Sequence, residues 1–254
     1  MSNAKILRLH SSVSKPVVAL LILALCGCAA NPAAGLSPEK QVRQYSGPVS
    51  TEANYWWQAA FRMPFDEKGT PRWMADLFLA HQVIAPQIKA HAGKIPLWRF
   101  HRRAAPDAAG HQFSLIFYTD KQTAQALFTE IQNSPAVTRL IAQDSLDKVV
   151  TQCWGGTCDS ALEATSDRSW DAPLQRTWPY FMMGASVHWL ALIEEVAAEV
   201  PAEPDQTGDP LTRYGLIQDK INALWNAQGQ HAYLHHLNAL FGYEPLQIRN
   251  ENRF

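Results

Sequence analysis

The 254-residue chain has no basic excess, since 22 Lys and Arg stand against 23 Asp and Glu for a net charge of −1. It therefore lacks the electrostatic footprint that nucleic-acid binding requires. Familiar catalytic signatures are missing too. There is no G-x-G-x-x-G for a dinucleotide and no P-loop for a nucleoside triphosphate. Ala232 follows His231, so the zinc-protease pattern H-E-x-x-H is absent. Gly184-Ala-Ser186-Val-His188 is not the G-x-S-x-G elbow of a serine hydrolase, because its serine has the wrong flanks. No internal repeat or low-complexity tract occurs. Cysteine is scarce, with four in all: Cys26, Cys28, Cys153 and Cys158. The chain is not short of core material. It is 47% hydrophobic and 18% charged, which argues against disorder.

The first fifteen residues carry Lys5, Arg8 and Lys15 and no acid, and the run from Pro16 to Leu25 is uncharged and apolar. A positive segment followed by a short apolar one is the layout of a secretory signal. The run is shorter than the roughly 20 residues of a spanning helix. It ends in Leu25-Cys26-Gly27-Cys28. This resembles the lipobox of bacterial lipoproteins. The resemblance implies cleavage before Cys28, diacylglycerol and palmitate on that cysteine, and a stable membrane anchor, for which one acyl chain alone is marginal. Ala29 and Ala30 follow instead of an aspartate. That implies the outer membrane, with the domain facing the periplasm. Residues 1–27 would then be the signal peptide. Residues 28–50, rich in Ala, Pro, Ser and Gly, would be the lipidated N-terminus and a flexible tether, and residues 51–254 a single domain. The mature chain keeps 19 basic and 23 acidic residues, a net charge of −4. The stretch from Thr165-Ser-Asp-Arg-Ser-Trp170 to Trp178-Pro-Tyr-Phe-Met-Met-Gly184 also resembles a segment of uncharacterised bacterial lipoproteins, which implies no activity.

An oxidising compartment makes Cys153 and Cys158 a structural disulfide pair closing the turn Cys-Trp-Gly-Gly-Thr-Cys; the rival reading is a redox pair, although thioredoxin-type motifs have two residues between the cysteines and this one has four. Periodicity predicts a helix over 52–61 capped by Thr51, and a second from Pro71 to about Lys89. Strands are expected at Leu97–Arg103 and Gln112–Thr119, around the turn signals Pro106-Asp107 and Gly110. A helix capped by Asp120 follows, then a short one from Ser134-Pro135 to about Ala142. Lys148–Trp154 and Ala161–Thr165 read as two more strands. From Trp170 onward the pattern is helical, with a strongly apolar stretch Trp178–Val200, a helix from Asp209-Pro210 to about Gln228, a break at Gly229 and a last helix to Phe241. The expectation is an α+β fold: an antiparallel sheet from a β-β-α-α-β-β segment, packed with N-terminal and C-terminal helices.

Three groups are candidate sites. Arg99, His101 and Arg103 share one face of their strand, opposite Trp98 and Phe100. Convergent arginines suit a carboxylate or phosphate; a solvated face, or salt bridges to the acidic C-terminal helices, is the plainer reading. His231 and His235 lie one helical turn apart beside His236 and could hold zinc or copper given further ligands, His111, His188 or Glu244. The aromatic run Trp178 to Met183, with Trp189, could line a ligand or form an amphipathic surface toward the membrane, but reads first as buried core, with Glu194, Glu195 and Glu199 on a solvated face. The favoured function is a non-catalytic periplasmic binding or interaction domain without a cofactor, meeting an envelope protein or a small anionic ligand. The alternative is an enzyme or metal-binding protein that uses the arginine face or the histidines.

Overall fold

The strand that organises the sheet is Tyr55–Met63 (β1), within the segment expected to be helical. Its side chains alternate: Trp57, Ala59, Phe61 and Met63 enter the main core, while Trp56, Gln58, Ala60 and Arg62 point the other way. Short apolar runs do not distinguish helix from strand locally. Here two flanking strands settle the matter, because β1 pairs on both edges. A computed structural model describes residues 53–105, 107–108, 110–201 and 209–245. Cys28, the tether and Thr51 lie outside the described residues, as does Pro106. The described residues all fall within one unit, Ser46–Phe254.

After β1 comes a continuous helix over 73–90 (α1), made of Trp73–Phe78, a π-helical turn Leu79–Ile84 and Ala85–Ala90. Strands Leu97–Ala104 (β2) and His111–Thr119 (β3) form a hairpin. Helices Lys121–Gln132 (α2) and Pro135–Ala142 (α3) lead to strand Lys148–Cys153 (β4). Asp120 caps α2 by accepting from the Thr123 N–H at 2.9 Å. Two 3₁₀ turns, Trp154–Gly156 and Leu162–Thr165, precede the long helix Ala172–Glu199 (α4). Helix Leu211–Gly229 (α5) ends the domain, extended by a π-helical turn Gln230–His235 and a last turn His236–Leu240.

The fold is α+β, with one four-stranded sheet in the order β2-β3-β1-β4 and every neighbour antiparallel. β3 inserts between β1 and β2, which α1 connects. This is the split β-α-β topology. The expected order β-β-α-α-β-β is thus corrected at both ends. A strand is added before α1, and Ala161–Thr165 is not a strand. Its carbonyls are taken by its own turn and by an indole instead of a strand partner: the N–H groups of Ala164 and Ser166 donate to the oxygens of Ala161 and Glu163, and Trp56 Nε1 donates to those of Ala161 (3.1 Å) and Leu162 (3.2 Å). Gly229 does not break its helix, because its backbone stays helical and the Trp225 ring packs over it. The stop comes at Gly242, where φ is +71°, a left-handed conformation that glycine adopts without strain.

One sheet face and helices α1 to α5 enclose the main core. α4 runs along the edge strand β2, and the Ser186 hydroxyl accepts the Phe100 N–H at 3.0 Å. The serine of the failed nucleophile motif thus satisfies an exposed edge. α4 is long and apolar enough to cross a membrane by length and composition alone. It packs through Leu190, Ile193, Val196 and Ala197, while Tyr180 and Phe181 are exposed at 57% and 47%. The expectation that the aromatic run is buried core is therefore corrected. One side of the helix meets β2, and the other bears aromatics that nothing among the described residues covers. Glu194, Glu195 and Glu199 are exposed, as expected.

Candidate anion-binding site

The second face of the sheet has a small apolar cluster at one end only. Trp56, Leu97 and Ile116 are buried there beneath Trp154, Leu162, Ala164 and Met183. The rest of the face is polar. Register aligns Arg99 with Ile116, Gln58 and Gln152; His101 with Ser114, Ala60 and Val150; and Arg103 with Gln112, Arg62 and Lys148. Gln58 Nε2 and Gln112 Nε2 each donate to Ser114 Oγ at 3.0 Å.

Arg99 is 7% exposed. Its one hydrogen bond among the described residues runs from Nη2 to the Thr165 carbonyl at 3.4 Å, and its guanidinium sits 5.5 Å from the Trp154 ring centre. Among the described residues no carboxylate pairs with it. Its buried Nε and the buried Thr165 hydroxyl oxygen next to this bond both lack a partner among the described residues. Burial without a counter-ion pushes the guanidinium pKa down to about 10. His101 lies beside it, 6.4 Å ring to ring from Trp154. Burial first, then the charges of Arg99 and Arg103, hold its imidazole below the ordinary value. Arg103 is different: it makes a two-pronged ion pair with Asp107, at 3.1 and 2.6 Å, which raises its pKa. Of the three residues singled out in the sequence, two therefore cluster with no acid paired to them among the described residues, and the third is paired within its own hairpin.

Cys153 and Cys158 are bonded, with Cα atoms 4.9 Å apart. The loop they close begins with Trp154, so the bridge holds the ring that stands over Arg99 and His101. Gly155 and Gly156 take φ of +68° and +82° inside it, which permits the reversal.

The histidines do come together. The rings of His231, His235 and His236 are 5.1 to 5.4 Å apart. Among the described residues, however, no group of three His, Cys, Asp or Glu is arranged to hold a metal ion. The further ligands considered for them are engaged elsewhere or merely exposed: His188 bonds Tyr233 at 2.9 Å, His111 is buried in the core, and Glu244 is exposed. A cleft of about 470 Å³ lies away from the arginine face, lined by Arg72, Ser145 and Leu211 among others.

A polar cluster not singled out from the sequence lies on the core side of β2. Asp76, fully buried on α1, accepts from Arg102 Nε at 2.7 Å and is 3.0 Å from His111 Nε2. Arg102 is stacked between Trp73 (4.8 Å) and Trp189 (5.0 Å) and also donates to the Trp73 carbonyl. The available signal was Asp76 itself, a lone acid inside the apolar helix pattern of Trp73 to Ile84. A buried acid needs a partner, but its partners are 26 and 35 residues away.

No protein-family model matches the chain, and searches of curated proteins and of solved structures find no match either.

Proposed function

We propose that this chain is a lipoprotein of the outer membrane, anchored through Cys28 and facing the periplasm, whose domain is a non-catalytic module that binds a small anionic ligand at Arg99. The observation that carries the ligand is a guanidinium 7% exposed with no carboxylate paired to it among the described residues. An uncompensated buried charge costs several kcal/mol. A fold that retains one gains from a ligand that brings the opposite charge. Arg99 Nε and the Thr165 hydroxyl are donors without acceptors among the described residues, and a carboxylate or phosphate accepts such bonds with charge-assisted strength. Trp154 forms a wall, and the amides of Gln58 and Gln112 on Ser114 form a polar floor. The anchor rests on the signal-like segment and Leu25-Cys26-Gly27-Cys28.

A thermal-shift series on the full chain with phosphate, sulfate and citrate tests the ligand. At one hundred times Kd a specific anion adds about 2.7 kcal/mol, and Arg99→Met should abolish the shift. An equal shift in that variant, or no anion protecting the wild type, overturns the reading. Mass spectrometry of the mature N-terminus tests the anchor separately: a lipid-bearing Cys28 is expected, and an unmodified N-terminus elsewhere overturns it.

A further inference from the structure

Arg99 is not alone on its sheet face. No strand position on that face, across all four strands, is acidic, although the whole chain is net negative. At the end far from Trp154, one row crosses the sheet as Arg103, Gln112, Arg62 and Lys148. Arg62 and Lys148 are direct partners in the β1–β4 ladder, a like-charge pairing that is unfavourable by itself. Asp107 answers Arg103. Neither Arg62 nor Lys148 has an ion pair among the described residues, and the buried Arg62 Nε has no hydrogen-bond partner there. Two guanidinium Nε atoms are in this condition among the described residues, and both belong to this one face.

The register sets their separation. Arg99 and Arg62 are two strands and four residues apart, about 17 Å between Cα atoms at ordinary sheet spacings. Strand side chains stand roughly perpendicular to the sheet, and the Arg99 guanidinium is held against Trp154 and Thr165. The charges therefore stay more than about 10 Å apart, too far for a single phosphate or carboxylate and separated by the neutral polar floor of Gln58, Ser114 and Gln112. We infer that this face is a two-ended site for an elongated polyanion, one anionic group seated at Arg99 and Thr165 and another at Arg62 and Lys148. The ligand class is a chain-like molecule with phosphates or carboxylates at separated positions. This inference rests on the anion reading above and extends it to the ligand's length.

The test is a competition series on the full chain with inorganic phosphate, pyrophosphate and linear polyphosphates of increasing length, read by calorimetry at fixed ionic strength. Affinity should rise at least tenfold once the chain is long enough to reach both ends. The double variant Arg62→Gln, Lys148→Gln should keep the phosphate seated at Arg99 but lose the far seat and with it the dependence on length, while Arg62→Lys keeps most of it. Arg99→Met should lose the phosphate at Arg99 and the dependence on length together. Phosphate binding without any length dependence overturns the two-ended site and leaves the single anion site standing. A length dependence that survives in the double variant, or in Arg99→Met, marks nonspecific attraction and also overturns it. No binding of any probe overturns both readings.

Discussion

Arg99 and Arg102 are three residues apart on one strand, and the sheet sends them to opposite faces. On the core side, Arg102 meets the Asp76 carboxylate and lies between two indole rings. On the other side, Arg99 is at least as deeply buried yet has one long bond to a carbonyl and one indole. The same residue type serves two ends. The first arginine completes a buried network in which charge is balanced, as stability demands. The second has charge and donors unanswered among the described residues, and a fold gains nothing from that unless an acceptor is supplied to it. Burial alone does not separate a structural arginine from a binding one; the partner does.

The comparison is broken most forcefully at Asp76. Asp76→Ala strands the partly buried Arg102 guanidinium and the buried His111 and should cost about 3 kcal/mol, lowering Tm by roughly 10 °C for a domain of this size. A shift of only a degree or two in calorimetry would show that Asp76 does not anchor the core network. Next come the matched substitutions. Arg102→Met leaves Asp76 short of its cation and should destabilise by about 2–4 kcal/mol, whereas Arg99→Met should be neutral or stabilising by about 1 kcal/mol. Urea denaturation of the two variants side by side decides it, and equal losses would erase the distinction.

The disulfide has a smaller effect. Serine at Cys153 and Cys158 should cost about 2 kcal/mol, the chain-entropy contribution of so short a loop. Because the loop carries Trp154 over Arg99, the same variant should weaken anion binding more than its stability loss explains. Unchanged anion affinity in the folded variant would remove Trp154 from the site.

The smallest effect is on pH dependence. His101 sits below the ordinary 6.5 because of burial and then its arginine neighbours, so the unfolded chain takes up the proton first. Its contribution to stability therefore falls as pH drops through 6.5 toward the lower folded value. A bound anion favours the protonated ring, so anion affinity should rise over the same interval. His101→Gln should flatten both trends; a titration in which binding still strengthens on acidification would assign the proton elsewhere.

Much of the middle of the fold was legible in the chain. Strands β2, β3 and β4 and helices α2 and α3 lie within a residue or two of their expected bounds, because alternation, Asp120, Ser134-Pro135 and the hairpin turn are local signals. β1 was not legible. Its apolar run fits either period, and its strand character comes from β3 and β4, whose paired residues lie at least 48 positions away in the chain (Met63 to His111). The same limit applies at the site. That Arg99, His101 and Arg103 share a face follows from the two-residue repeat. That Arg103 is answered by Asp107 while Arg99 is not, and that Arg62 and Lys148 join the face, depends on pairing and register.

By itself, the sequence determined the local elements, the alternation that divides each strand into an apolar and a polar set, and the features on which the proposed anchor at Cys28 rests, since all of these are written in neighbouring residues. The tertiary structure alone decided which strand is central, which buried arginine has its acid and where the cations of one face gather. Those outcomes depend on contacts between distant segments, and the energy of a buried charge is set by what stands beside it in space.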